Sequence, residues 1–165
     1  MTFPAKEDIE FFSQPEVAEF FGERWKPKVG DYYWDNEDKE VHLIGSFSQA
    51  GRVREWLSQP WCGFIPLFTV GQLIEMLEEK GYGILWLRSL PNNDTETRFW
   101  EAEMARKETG GHLLLAIEGT WQAQGPTPAI ALAKCAMENL EEYLAVELKR
   151  GGSDEQPERD IRSLG

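Results

Sequence analysis

WKPKVGDYYWDNEDKEVHLIGSF, residues 25–47, packs four large aromatics, Trp25, Tyr32, Tyr33 and Trp34, into ten positions and then turns acidic. Pro27 and Gly30 interrupt the chain ahead of two β-prone runs, and polar residues 36–39 lie between those runs. The stretch therefore predicts a β-hairpin. Alternation places Tyr32 and Trp34 on one face and Tyr33 on the other, while Val41 and Leu43 alternate with His42 and Ile44. Apolar bulk on both faces predicts a sheet covered on both sides, so these rings read as sheet packing rather than as a ligand platform. Trp25 reads as the anchor of the segment before it.

Upstream, Ser13 and Glu16 form an S-x-x-E capping box ahead of VAEFF, which predicts a short helix from about residue 14 to Phe21. Phe11, Phe12, Phe20 and Phe21 give residues 1–24 enough apolar surface to dock as a helical segment on a domain spanning 25–150. Downstream, SQAGRVREWLSQPWCGF (48–64) shows no clean period and carries Gly51, Pro60 and Gly63. The expectation is a long, partly ordered loop or lid, and loops of that length tend to be functional or disordered.

The signal sharpens from Ile65. Thr69 and Gln72 make a second capping box, Val70, Leu73, Ile74 and Leu77 follow at helical spacing, and Gly81 closes a helix over 69–80. GILWLRSL (83–90) and RFWEAEMAR (98–106) read as strands around the polar turn PNNDTET. In the second strand Trp100, Ala102 and Met104 share one face, and Glu101 and Glu103 are expected to point outward on the other. HLLLAIEG (112–119) reads as a central strand that WQAQ extends. Thr127 and Pro128 open a last helix whose buried stripe is Ile130, Ala133, Met137, Leu140 and Leu144, ended by Gly151 and Gly152. The tail, 151–165, is polar and expected to be disordered. The fold class is α+β, a mainly antiparallel sheet of about five strands with helices packed on it as a layered sandwich.

The 165 residues carry 29 Asp and Glu against 17 Lys and Arg, a net charge of −12. Such a surface repels phosphate backbones and argues against broad nucleic-acid binding. Cys62 and Cys135 are far apart with no CxxC, which reads as two reduced thiols and a cytoplasmic location. MTFPAKEDIEFF has neither the basic nor the apolar region of a signal peptide, and no apolar run nears the roughly 18 residues that span a membrane.

His42, His112, Cys62 and Cys135 offer no pair at zinc-site spacing, so no metal or cofactor is expected. GxSxG, Walker A and GxGxxG are absent, and Cys62 is the only nucleophile that reads as accessible, with nothing nearby in sequence to depress its pKa. An enzyme is not expected. Arg52, Arg54, Trp56 and Trp61 in the 48–64 stretch, with Tyr82, Trp86, Arg88 and Arg98 on the next strands, instead combine anion donors with stacking rings. That is the chemistry that holds a nucleotide-like ligand. The competing reading plugs the sheet's open end with the indoles and pairs the arginines with surplus acids.

W-x-P-x-x-G-D-x-Y (Trp25 to Tyr33), the I-P-x-x-T-x-x-Q-L-x-x-M-L-x-x-x-G run (Ile65 to Gly81) and G-x-T-P-A-x-A-L-A (Gly125 to Ala133) together resemble the phage ABA-sandwich domain proteins, over about residues 25–145. The resemblance implies phage or prophage origin and a layered fold, with no catalytic residues to carry over. Two functions are then expected, in order. The first is a non-enzymatic counter-defence protein, expected as a homodimer, that sequesters a small nucleotide-derived immune signal in the host cytoplasm. The second is an acidic nucleic-acid mimic that occupies a basic host protein.

Overall fold

A computed structural model of the chain describes residues 3–107 and 120–138. In chain order these form α1 (Lys6–Phe12), α2 (Pro15–Arg24), β1 (Tyr32–Asp35), β2 (Glu40–Leu43), α3 (Phe47–Leu57), β3 (Phe64–Leu67), α4 (Val70–Glu79), β4 (Tyr82–Pro91), β5 (Arg98–Arg106) and β6 (Trp121–Gly125). Residues 128–138 then form α5. The expected strand 112–119, the stripe residues Leu140 and Leu144, and the tail lie outside the described residues.

The fold is α+β and the pairing is antiparallel, but the expected single sheet is two. One has the order β2-β1-β3 and the other β4-β5-β6. The first sheet is completed by β3, a strand that the sequence pattern does not predict. Phe64–Leu67 pairs along the free edge of β1, with Tyr33 opposite His42 on one side and Pro66 on the other. Pro66 lacks an N–H, so it suits this edge position of a short sheet.

The N-terminal segment holds two helices rather than one. Pro15 at the start of α2 presets the helical φ. Ser13 closes α1 through its backbone N–H on Ile9 O, and its hydroxyl is buried without a partner. The expected Ser13–Glu16 capping box therefore does not form, because Gln14 is the N-cap of α2. Phe12 and Phe21 are fully buried and meet Phe68, which follows β3, at ring centroids of 6.3 and 5.1 Å.

The turn before β1 is organised by Asp31, which is buried. Its Oδ2 accepts from Trp25 Nε1 at 2.9 Å and from the Lys28 N–H at 3.0 Å, and its Oδ1 accepts from Gln72 Nε2 at 2.6 Å. Gln72 is also half of the reciprocal capping box with Thr69 that starts α4. One carboxylate thus ties the N-terminal segment, the hairpin and α4 together. Gly30, at φ 96°, makes the turn that presents it.

The second sheet buries Ala102 and Met104 against a core that includes Leu73, Leu77 and Leu132. At Gly125 an added Cβ would stand 2.7 Å from Ile130 Cγ2, so the end of β6 lies directly on α5.

Candidate functional site

The 48–64 stretch is not a loop. Ser46 caps α3, its hydroxyl accepting from the Gln49 N–H, and Ala50 and Val53 are buried beneath the helix. With about 3.6 residues per turn, residues 49, 52 and 56 share one flank, whereas residues 52 and 54 stand about 200° apart. Arg52 and Trp56 therefore line a shallow hollow of about 370 Å³ with Tyr33, Ser46, Ser48 and Gln49. Arg54 leaves by the opposite flank, where its Nε donates to Pro27 O at 2.9 Å.

Rings continue the hollow along the first sheet. Trp56 is 38 % exposed and Trp61 59 %, with centroids 6.3 Å apart. Trp56 also meets Phe64 edge-on at 6.0 Å, Phe64 meets Tyr33 at 4.7 Å, and Tyr33 stacks on His42 at 5.2 Å. Phe47, at the start of α3, is 89 % exposed. Of these rings the adjoining exposed pair is Trp56 with Trp61, while Phe47, nine positions before Trp56, faces the opposite flank of α3. Tyr33, which the alternation assigns to packing, does both: its ring is buried in the sheet and borders the hollow.

Charge on this face is divided. Arg52 is exposed, and among the described residues no carboxylate pairs with it. At the hairpin turn, Asp35, Asp38 and His42 place one ligand atom each within 4.8 Å of one another. The turn itself accounts for that grouping, since Asp35 Oδ1 accepts from the Glu37 N–H, Asp38 Oδ1 from the Glu40 N–H, and Asp38 Oδ2 lies 2.7 Å from His42 Nε2. Burial pushes the Cys62 thiol up, a hydrogen bond from the Phe64 backbone partly opposes this, and the Asp35 charge adds to it. The thiol is therefore protonated at neutral pH and is a poor nucleophile. Cys135 is buried and pushed up to about 12, by burial first and by the Glu138 charge second.

The remaining expected site residues lie on the second sheet. Tyr82 is buried, with its ring edge-on to Trp121 at 5.8 Å. Trp86 and Arg88 form a cation–π pair at 5.0 Å, and both turn to Glu101. Arg88 reaches Glu101 Oε1 through Nε at 3.1 Å and its terminal nitrogen at 2.7 Å, and Trp86 Nε1 donates to the same oxygen at 3.3 Å. Gln124 Nε2 donates to Oε2 at 3.1 Å. Glu101 is thus buried rather than outward-pointing, and so is Glu103, whose Oε1 accepts from the Thr120 hydroxyl while Oε2 has no partner among the described residues. Arg98 bonds the Ser89 hydroxyl at 2.8 Å.

Of the eight residues singled out, Arg52, Trp56 and Trp61 come together, Arg54 is turned away, and four sit on another sheet. Ser46, Ser48, Gln49 and Tyr33 were missed. The S-F-S-Q run from 46 to 49 is itself a helix-start signal, followed by Ala50, Val53 and Leu57 at helical spacing. Comparison of the chain with protein-family models, with curated proteins and with solved structures finds no match in any of the three.

Proposed function

We propose that the protein is a non-enzymatic binding protein whose α3 face holds a small, flat anion of nucleotide chemistry. The observation that carries this reading is the unpaired Arg52 guanidinium one helical turn from the exposed Trp56 ring, at the same hollow. Arg52 supplies donors for a phosphate. The Ser46 and Ser48 hydroxyls and the N-terminal end of α3 favour the same negative charge. Trp56 offers a stacking face for a base, a contact that contributes on the order of 1–3 kcal/mol. Among the residues that line the hollow, Arg52 is the one charged side chain, so an anion there meets a cation and no carboxylate in the lining itself.

The resemblance of residues 25–145 to phage ABA-sandwich proteins extends the proposal to a phage product that sequesters a nucleotide-derived immune signal of the host. Thermal-shift and calorimetric titration against cyclic and linear nucleotides tests it. At about 100 times the Kd, a bound nucleotide adds about 2.7 kcal/mol of stability. Arg52→Ala and Trp56→Ala each remove that gain while the protein stays folded. Absence of binding by every nucleotide, or binding indifferent to both substitutions, overturns the proposal.

A second reading, an acidic mimic of nucleic acid bound to a basic host protein, is supported by the net charge of −12 and by the exposed acids Glu37, Asp38 and Glu40 at the hairpin turn. It requires an association that weakens steeply with salt; retention of the complex in about 1 M salt, where the screening length is about 3 Å, counts against it.

A further inference from the structure

A cavity of about 500 Å³ lies away from the α3 face, where the first turns of α4 and α5 meet α1 and β5. Phe3, Val70 and Trp100 form apolar walls, and Asp8, Thr69 and Thr127 supply its polar side chains. The size and lining are those of small-molecule sites, mostly apolar with a few convergent polar groups.

Asp8 sets the chemistry of this cavity. It is 2 % exposed. Its Oδ1 accepts from the Thr127 hydroxyl at 2.5 Å and its Oδ2 from the Ala5 N–H at 2.8 Å. Both donors are neutral, and among the described residues no cation pairs with it. A carboxylate has about four acceptor positions, so about two stay open. At each neighbouring helix start one N–H is capped by the cavity's own threonine, Gln72 on Thr69 Oγ1 and Ile130 on Thr127 Oγ1. Asp8 stands at N3 of α1, whose positive dipole end compensates part of its charge, and a full cation would stabilise the buried carboxylate further. Aromatic walls add the attraction of ring faces for an ammonium.

We propose that this cavity binds a small aromatic primary amine, its ammonium on Asp8 and its ring between Phe3 and Trp100. The site is independent of the α3 face. Three probes with one carbon skeleton type separate the contributions: 2-phenylethylamine, 2-phenylethanol and 3-phenylpropanoate, each titrated calorimetrically and by thermal shift into the full chain. The amine is expected to bind at least about tenfold more tightly than the alcohol, and the carboxylate not at all. Asp8→Asn is expected to erase the difference between amine and alcohol.

Because Asp8 also joins α1 to α5, a second variant keeps the test independent of folding. A Cβ at Gly71 meets nothing nearer than Thr69 Oγ1 at 4.0 Å, so a side chain can start from this position of the cavity wall without displacing backbone, and Gly71→Phe is the variant chosen to occlude the cavity. It is expected to abolish amine binding and leave the melting temperature of the free protein unlowered. Equal binding of amine and alcohol, preferential binding of the carboxylate through the helix amides, undiminished amine binding in Gly71→Phe, or no binding of any probe overturns the proposal.

Discussion

Arg52 and Arg54, two positions apart, leave α3 on opposite flanks: Arg52 lines the aromatic hollow, while Arg54 is spent on Pro27 O at 2.9 Å. The two arginines therefore have separable effects. Arg54→Ala removes a charged donor from a part-buried carbonyl and is expected to cost about 1–2 kcal/mol of stability with nucleotide affinity unchanged. Arg52→Ala is expected to leave stability within about 0.5 kcal/mol and to weaken binding. Urea melts read against titrations check both. Loss of affinity in Arg54→Ala at unchanged stability contradicts the division.

The buried Asp31 accepts from three donors belonging to Trp25, Lys28 and Gln72. Asp31→Ala strands two of these inside the protein and removes the link between the hairpin and α4. A loss on the order of 3 kcal/mol is expected, visible as a lower urea midpoint at an unaltered slope. Gln72→Ala breaks only one of the three contacts and the α4 box, so it should cost less. A loss below about 1 kcal/mol in Asp31→Ala would show the carboxylate to be dispensable to the turn.

Local signals made much of this legible. The hairpin at 32–43, the box that starts α4, the strands around 91–98 and Thr127 with Pro128 all combine a cap or turn with a clear period, and these elements form where the pattern puts them. Failure came where two patterns overlapped. In α3 the buried positions Ala50 and Val53 are small, so Gly51, two arginines and Trp56 dominated the reading and the stripe was lost. β3 is four residues ending at the cap of α4, too short to show alternation. The buried state of Glu101 and Glu103 was illegible because alternation names a face, not what covers it, and a carboxylate goes inside only where donors such as Arg88 and Gln124 converge from neighbouring strands. The site fragmented because chain order joins residues that α3 and its following turn hold on one face and the β4-β5-β6 sheet holds on another.

Glu101 has a pH consequence. The Gln124 amide, then the Arg88 guanidinium, hold its carboxyl below the usual carboxylate value, against the opposing effect of burial. A group whose folded pKa is depressed contributes stability that is complete above its unfolded value, about 4.3, and is lost as pH falls through the folded value. Glu101→Gln is expected to flatten the fall of the melting temperature below about pH 4.5 and to lower stability at pH 7. An acid limb of the same slope in both proteins would mean that Glu101 is not among the groups driving acid unfolding.

Two glycines test the packing from opposite directions. Gly125 ends β6 on the first turn of α5, where a Cβ would lie 2.7 Å from Ile130 Cγ2 and 3.0 Å from the Ala131 nitrogen. The latter is helix backbone and cannot swing aside, so Gly125→Ala must shift the strand from the helix. Overpacking of this sort costs about 1–3 kcal/mol. Gly22 lies within α2, is exposed, and has no heavy atom within 4 Å of an added Cβ. There the same methyl meets only water and restricts the unfolded chain, so Gly22→Ala is expected to stabilise by about 0.5–1 kcal/mol. Denaturant melts of the two variants should thus move in opposite directions from the parent. A neutral Gly125→Ala would mean that β6 and α5 are not in close contact.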